Sequence, residues 1–191
     1  QKFFSKTGPL LFTILVLGGC ALSPVRQDTF PQPPDQTNLR SSASFHYALG
    51  VLQALNDNME AAIREMEEAR RLDPSSPYLA KEVASLYTEK GETEKALTIS
   101  KQTLDAHPND IDTHLLLGGI YLNQKDYRGA AAEYRRVVDL DPKNLTARFY
   151  LGTSQAELKQ FDDAIASFKE LIQRDPDHFM ANYYLARIFA D

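Results

Sequence analysis

The chain has 191 residues, of which 43% are hydrophobic and 25% are charged, and its formal net charge is −5. This composition excludes a collagen-like protein, a largely disordered protein and a multi-pass membrane protein, and the length corresponds to one or two ordinary domains. The 26 acidic residues outnumber the 21 basic residues and no long basic run occurs, which argues against a nucleic-acid partner.

The N-terminal residues have the order of a secretory signal peptide, which is basic, then apolar, then small. Lys2 and Lys6 precede the mainly apolar stretch 10–17, and Gly18 and Gly19 follow it. About eight residues at 1.5 Å each cover roughly 12 Å, which is too short for a helix that spans a bilayer. The sequence therefore predicts that residues 1–19 direct export and are then removed.

The only cysteine of the chain follows this segment directly, which excludes a disulfide framework. Leu17-Gly18-Gly19-Cys20 resembles the lipobox of bacterial lipoproteins, which implies cleavage before Cys20 and lipid on its thiol. Two or three acyl chains hold a protein stably on a membrane. The resemblance implies a periplasm-facing, lipid-anchored protein, and Ala21 in place of Asp favours the outer over the inner membrane. The alternative is an ordinary signal peptide that leaves a spare cysteine.

A proline-rich segment separates this N-terminus from the rest of the chain. Residues 20–42 hold four prolines among Ser, Thr, Gln, Asn and Asp, and they show no apolar periodicity. Because proline lacks an amide donor and disfavours helix at the residue before it, the segment is predicted to be an irregular linker. The alternative, a motif for a proline-binding domain, has only the partial match from Pro31 to Pro34.

A repeat of 34 residues is the strongest feature of the sequence. Proline recurs at this spacing at Pro74, Pro108, Pro142 and Pro176. Alanine recurs at Ala62, Ala96, Ala130 and Ala164, and a small residue recurs twelve positions earlier, at Gly50, Ala84, Gly118 and Gly152. Apolar residues between these markers follow helical spacing, so each copy is predicted to be two antiparallel helices. The small residues, such as Gly118 and Ala130, allow the paired helices to approach closely.

The third copy, with Leu117-Gly118, Tyr121, Ala130, Tyr134 and Pro142, resembles the tetratricopeptide repeat. The resemblance covers four copies and part of a fifth, at 43–76, 77–110, 111–144, 145–178 and 179–191. It implies an all-α fold, a right-handed superhelical solenoid of antiparallel helix pairs whose first helices line a concave surface. The sequence departs from the family pattern where that pattern often has Trp, at His46, Ala80, His114, Arg148 and Asn182, and Ser100 replaces an aromatic residue.

The resemblance also implies which residues face a ligand on the concave surface. These residues lie on the first helix of each copy and are Tyr47, Val51, Tyr78, Lys81, Leu115, Leu122, Phe149, Thr153, Tyr183 and Arg187. Tyr47 and Val51 replace the Lys and Asn of the two-carboxylate clamp of chaperone-binding members, so that clamp is not expected. Tyr47, Phe149 and Tyr183 form an aromatic series suited to anchor an extended peptide or a helix. The alternative is that some of these rings pack between neighbouring repeats.

No group of residues in the sequence points to catalysis, to a metal or to a cofactor. The 34-residue register explains His46 and His114, and no His-Glu-x-x-His, phosphate-loop or nucleophile-elbow motif occurs. Acidic residues such as Glu65, Glu67 and Glu68 alternate with basic residues on one helix and are expected to form a solvated face. We therefore expect a non-enzymatic protein with no small-molecule substrate.

The last segment, 179–191, is apolar nearly all round, whereas a terminal repeat helix normally has a polar outer face. We therefore expect the natural chain to continue past Asp191. The favoured function is a membrane-tethered scaffold that binds other envelope proteins in secretion, pilus, outer-membrane or cell-wall assembly. The alternative is the targeting or regulatory half of an envelope enzyme whose catalytic domain lies beyond Asp191.

Overall fold

The computed structural model describes residues 36–190, which form an all-helical array without a strand. The helices of this range are α1 (Gln36–Leu55), α2 (Met59–Leu72), α3 (Pro77–Glu89), α4 (Thr93–Ala106), α5 (Ile111–Asn123), α6 (Tyr127–Leu140), α7 (Leu145–Glu157), α8 (Phe161–Arg174) and α9 (Phe179–Ala190). In this range, no helix has both the length and the apolar character needed to cross a membrane. The predicted signal peptide, Cys20 and most of the predicted linker lie outside the described residues.

The helices form successive antiparallel pairs that stack into a solenoid. We call α1, α3, α5, α7 and α9 the A helices, and α2, α4, α6 and α8 the B helices. Each A helix packs on the B helix that follows it, and each B helix packs on the next A helix. The buried residues accordingly form several clusters along the stack, each shared by neighbouring helices. Because each pair buries its apolar face mainly on its neighbours, stability is distributed along the array.

The A helices begin at positions that recur every 34 residues, since α3, α5 and α7 start at Pro77, Ile111 and Leu145. A short polar side chain precedes each of these helices and accepts a hydrogen bond from an amide in its first turn; these residues are Ser76, Asp110 and Asn144. Such capping satisfies an amide that has no partner inside the helix. The recurring prolines lie in the same turns, directly after the residue that ends each B helix.

Helix α1 begins earlier than the sequence predicts. The predicted linker extends through Ser42, but α1 starts at Gln36, so residues 36–42 are helical. Pro34 is the last proline before the helix, and residues 36–42 contain neither proline nor glycine. The helix that packs on α2 therefore continues toward the N-terminus without a residue that stops it. The linker prediction was wrong here because it rested on polar composition, which does not by itself exclude a helix.

The close approach of the paired helices is confirmed in the third and fourth copies. A Cβ atom on Gly118 would lie 2.9 Å from the ring of Tyr134, and a Cβ atom on Gly152 would lie 2.8 Å from the ring of Phe168. Real Cβ atoms do not come this close to rigid rings, so any larger side chain would separate the two helices. Glycine on the A helix therefore makes room for a large aromatic residue on the B helix.

The second copy fills the same position differently. Ala84 replaces the glycine, and Ser100 stands sixteen residues later, where Tyr134 and Phe168 stand in the next two copies. Ala84 and Ser100 are both buried, and the Ser100 hydroxyl has no hydrogen-bond partner among the described residues. The second copy thus combines a slightly larger residue on the A helix with a much smaller one on the B helix.

The turn between an A helix and its B helix contains one residue in the left-handed conformation. These residues are again 34 apart and are Asp57, Gly91, Lys125 and Lys159, with φ angles of 57°, 84°, 60° and 59°. Glycine adopts this conformation without strain, whereas a residue with a Cβ atom does not. The second copy alone has glycine here, so three of the four turns keep a strained residue.

Candidate functional site

The A helices carry the ten residues that the sequence predicts for the ligand-facing surface. Two residues lie on each helix: Tyr47 and Val51 on α1, Tyr78 and Lys81 on α3, Leu115 and Leu122 on α5, Phe149 and Thr153 on α7, and Tyr183 and Arg187 on α9. Their surroundings differ strongly along the array. The structure brings the members on α1 and α3 together in one cluster, whereas several members on α5 and α7 belong to the core.

Tyr47 and Tyr78 form the centre of this N-terminal cluster. Their hydroxyl oxygens are 2.5 Å apart and their ring centroids are 5.5 Å apart. The hydrogen bond with Tyr47, followed by burial, raises the pKa of Tyr78 to about 12. The Tyr78 phenol is therefore neutral at physiological pH, and its hydroxyl can donate and accept hydrogen bonds. Tyr78 keeps 47% of its surface exposed, so the pair is open to a ligand.

Lys81 lies beside the tyrosine pair and joins it to the next repeat. Its Nζ atom is 4.9 Å from the centroid of the Tyr78 ring, 2.9 Å from Glu82 Oε1 and 3.8 Å from Asp112 Oδ2. Burial opposes the charged form of Lys81, but the carboxylate of Glu82 outweighs it and raises the pKa of the lysine. The Lys81 ammonium group is thus positioned by two carboxylates and by the face of an aromatic ring.

A cavity of about 320 Å³ lies next to the tyrosine pair, between α1, α3 and the turn that precedes α3. Apolar side chains line part of its wall, and Tyr47 and Tyr78 contribute their rings. The charged residues Arg40 and Asp73 also line it. This combination of apolar wall and a few polar groups is typical of a pocket that receives one large side chain of a ligand.

The centre of the surface is apolar, and its side chains are partly buried in the core. Val51 packs against the core cluster of the first three copies, and Leu115 and Leu122 pack against the cluster built around Tyr134 and Val137. All three predicted residues are half-buried. They can offer an apolar floor to a ligand, but they contribute no charge and no hydrogen-bonding group.

Phe149 belongs to a cluster of rings between the fourth copy and α9. Its centroid lies 5.2 Å from that of His178, 6.0 Å from Tyr184 and 6.2 Å from Phe168. Phe149 is half-buried and packs against the buried residues of this cluster. For Phe149, the alternative that the ring packs between neighbouring repeats therefore describes the structure well.

Tyr183 and Arg187 remain accessible on α9. Tyr183 keeps 49% of its surface exposed and makes an edge contact with Tyr184, whose centroid is 5.8 Å away. Arg187 lies over the Tyr184 ring at 4.9 Å, and its Nη2 atom is 3.5 Å from Glu157 Oε1. These two residues thus offer one exposed ring and one loosely paired cation at the C-terminal end of the surface.

Thr153 offers the least to a ligand. The residue is buried, with 9% of its surface exposed, and its hydroxyl donates to the backbone oxygen of Tyr150 at 2.9 Å. Such a bond to the preceding turn is common for Thr in a helix and uses its only donor. The register places Thr153 on the A helix as expected, but its side chain serves that helix.

Sequence reasoning missed three residues around the N-terminal cluster. Glu82 holds Lys81, whereas Arg40 and Asp73 line the cavity. Arg40 was assigned to the linker, so the helical extension of α1 was the missing information. Asp73 directly precedes a recurring proline, and this position gave a signal for the end of a helix but none for a cavity wall.

Polar residues fill the position at which tetratricopeptide repeats often have Trp. His114 Nδ1 lies 2.6 Å from Glu133 Oε2, and its Nε2 lies 3.1 Å from the backbone oxygen of Pro108. Arg148 makes the equivalent contacts in the next copy, to Glu170 and to the oxygen of the corresponding proline. One polar side chain thus connects the A helix, its B helix and the turn before them.

His46 has a partner of the same kind, because its Nδ1 lies 2.7 Å from Glu65 Oε2. Within residues 36–190, no three His, Cys, Asp or Glu residues cluster in a way that could hold a metal ion. The 34-residue register thus gives His46 and His114 a common role in holding a repeat together.

Comparison with known families identifies the repeat itself. The tetratricopeptide repeat family matches residues 87–144 and 121–188, which together span more than half of the chain, and a second profile of the family matches residues 36–77. The chain belongs to the tetratricopeptide repeat family. This membership confirms the resemblance of the 34-residue copies and the all-α solenoid of antiparallel helix pairs.

Solved structures share the same fold at low sequence identity. A crystal structure of MamA protein is 16% identical, has a TM-score of 0.71 and aligns over 78% of this chain and 82% of that chain. A MamA chain from Desulfovibrio magneticus RS-1 is 18% identical, has a TM-score of 0.64 and aligns over 78% of this chain and 94% of its own length. No curated protein matches the sequence. The structural likeness establishes the tetratricopeptide fold.

Proposed function

We propose that this tetratricopeptide repeat protein is a non-enzymatic scaffold that binds a peptide or helical segment of another protein on its A helices. We further propose that lipid on Cys20 tethers it in the bacterial envelope. The observation that carries the binding proposal is the N-terminal cluster, in which Tyr47 and Tyr78 line a cavity and Lys81 lies over the Tyr78 ring. Exposed aromatic residues with polar tips are the residues that most often anchor protein partners.

The cluster has the properties of a preorganised anchor site. Its tyrosine hydroxyls are hydrogen-bonded to each other, and Lys81 is ion-paired with Glu82 and Asp112. Binding a ligand therefore costs little additional side-chain conformational entropy. The cavity between α1 and α3 can receive one large apolar side chain of the partner. The phenols can then bind backbone groups of the same segment. Tyr183 and Arg187 supply a second contact at the far end of the surface.

Affinity capture from native envelope extracts tests the binding proposal. A triple variant with Tyr47→Ala, Tyr78→Ala and Tyr183→Ala should lose partner capture by roughly tenfold or more, because anchor residues typically carry most of the binding energy. Phe161→Ala is the matched control, since Phe161 is an exposed ring on a B helix. Circular dichroism should show the same helical signal in all chains. Full capture by the triple variant would remove this surface from consideration.

Labelling with a lipid precursor tests the proposed anchor. We expect label on the wild-type chain and none on Cys20→Ala, because Cys20 is the only thiol in the chain. Label that survives the substitution would contradict a lipid on Cys20. Membrane fractionation tests the proposed destination, since Ala21→Asp should move the protein from the outer to the inner membrane. An unchanged distribution would contradict sorting by this residue.

A further inference from the structure

Helix α1 has an exposed apolar stripe on a face that adjoins the surface carrying Tyr47 and Val51. Phe45, Leu52 and Leu55 keep 60%, 51% and 78% of their surface exposed, and Ala48 between them is also exposed. With 100° per residue, the stripe lies beside the Tyr47 and Val51 face and opposite the residues that pack on α2. Three large apolar side chains on one exposed face indicate an interaction surface.

The 34-residue register shows what covers the Phe45 and Leu52 part of this face in the other copies, whereas the residues equivalent to Leu55, which are Glu89, Asn123 and Glu157, are exposed. The residues equivalent to Phe45 are all buried, and they are Leu79, Thr113, Ala147 and Ala181. The residues equivalent to Leu52 in copies two to four are buried as well, and they are Leu86, Ile120 and Ser154. In those copies, the B helix of the preceding repeat packs on the A helix. Because no described helix precedes α1, its equivalent face lacks this cover within residues 36–190.

The spacing of the stripe is that of a two-helix seam. Phe45, Ala48, Leu52 and Leu55 follow one another at intervals of three, four and three residues, which is the spacing of core positions in a coiled coil. The pattern is also symmetric about position 50. In an antiparallel pair of identical helices, Phe45 of one copy faces Leu55 of the other, and Ala48 faces Leu52. In such a pair, Phe45 packs against Leu55, and the small Ala48 leaves room for Leu52.

The charge of α1 permits such a pair. Over its twenty residues the helix has one formally charged side chain, Arg40, and no Asp or Glu. In an antiparallel pair centred on position 50, the two Arg40 residues lie ten residues from the centre on opposite sides, or about 30 Å apart. At that distance their repulsion is screened. Neighbouring helices in the stack also run antiparallel, so the second α1 takes the direction of a preceding B helix.

We propose that α1 is a dimerisation helix, which pairs through Phe45, Ala48, Leu52 and Leu55 with α1 of a second copy in an antiparallel, twofold arrangement. The interface is isologous, because the same stripe serves both copies. Four prolines lie between positions 24 and 34, and such a composition does not predict a helix that could pair with the stripe. Because α1 is already held by α2, pairing orders little additional chain.

Thiol cross-linking tests the register of the pair. The full chain is purified with Cys20→Ser, so that an introduced thiol is the only one. Under mild oxidation, an equal mixture of the Ala48→Cys and Leu52→Cys chains should give at least fivefold more cross-linked dimer than either chain alone. Lys169→Cys, on the exposed face of α8, is the control and should not cross-link. Equal cross-linking of all chains would overturn the antiparallel register.

Sedimentation tests the dimer without a cross-link. The full chain should dimerise with a dissociation constant in the micromolar range, and Leu52→Glu should weaken dimerisation at least tenfold because it places two carboxylates in an apolar seam. Phe161→Glu, a matched exposed aromatic position on α8, should leave dimerisation unchanged. A monomeric wild type at high micromolar concentration would overturn the proposal. So would a variant that dimerises normally but loses binding to lipid vesicles, because the stripe would then serve a membrane.

Discussion

The two ends of the A-helix surface use aromatic residues in opposite ways. Tyr47 and Phe149 occupy the same position of their repeats, three repeat lengths apart, and both are half-buried against core clusters. Tyr47 also bonds through its hydroxyl to the exposed Tyr78, whereas Phe149 packs in a cluster of rings. The difference follows from chemistry. A phenol needs a partner or water for its hydroxyl, whereas a phenyl ring gains by leaving water altogether. Equivalent register therefore does not mean equivalent function.

The comparison also shows where a ligand can gain affinity. At the N-terminal end, the cavity and the tyrosine pair remain accessible, so a bound segment can bury surface there. At the C-terminal end, the rings of Phe149, Phe168 and Tyr184 already bury one another. Substitutions at the two ends should therefore separate binding from stability.

The largest expected effect is on stability at the C-terminal end. Phe149→Ala should lower the free energy of unfolding by about 3 kcal/mol, because it removes a ring from a packed cluster. Tyr47→Ala, at the equivalent position of the first repeat, should cost less, about 1–2 kcal/mol, because Tyr47 packs on two core clusters but keeps its hydroxyl at the accessible tyrosine pair. Urea unfolding followed by circular dichroism measures both values. Equal losses would contradict the distinction between an open and a packed end.

An intermediate effect on stability is expected from substitutions in the turn between an A helix and its B helix. Lys159→Gly should stabilise the chain by roughly 0.5–1 kcal/mol, because glycine adopts the left-handed conformation without strain. Gly91→Ala should destabilise it by about 1 kcal/mol for the same reason. Thermal and urea unfolding give both differences. If Lys159→Gly destabilised the chain, the lysine side chain would have to contribute more than the strain it causes.

The smallest expected effect concerns the tyrosine pair and is seen only at high pH. The pKa of Tyr78 is about 12 in the folded chain, against about 10 for an unperturbed tyrosine. Because a raised pKa favours the neutral form in the folded state, this stabilisation is complete below about pH 10 and is lost as the pH rises toward 12. In Tyr47→Phe, the pKa of Tyr78 should fall toward 10, and stability should decline less between those pH values.

Ultraviolet absorbance of the folded chain measures this titration directly. Tyr47→Phe has one ionising tyrosine fewer than the wild type, and one of its remaining tyrosines, Tyr78, should ionise at lower pH than in the wild type. Tyr127→Phe is the control, because Tyr127 begins α6 and lies outside the N-terminal cluster. Coincident curves for Tyr47→Phe and Tyr127→Phe, which each lack one phenol, would show that the hydroxyl contact does not hold the proton on Tyr78.

Much of the fold could be predicted from the sequence, because the same spacing of small and apolar residues recurs in each copy. Gly118 and Ala130 indicated the close approach of the paired helices, and the recurring prolines indicated where the B helices end. The start of α1 could not be predicted in this way. Residues 36–42 have the polar composition of a linker, and their helical state is an extension of a helix that tertiary packing stabilises.

The candidate site was predictable only as a set of positions. The register placed Tyr47, Tyr78 and Lys81 on A helices, but their contacts depend on the distance between neighbouring helices. The register placed Thr153 in the same set, although its side chain is buried and bonded to its own helix. Side-chain direction, burial and competing local hydrogen bonds decide which of the equivalent positions can bind.

The sequence by itself determined the tetratricopeptide family, the repeat length and the helix pairs, because these depend on local spacing and on small residues at close contacts. Only the tertiary structure decided which aromatic residues stay open, which become core, and which face of α1 lacks a cover. The physical reason is that burial depends on the neighbour against which a helix packs. The first helix of a stack has no preceding neighbour in residues 36–190, whereas α3, α5, α7 and α9 each have one.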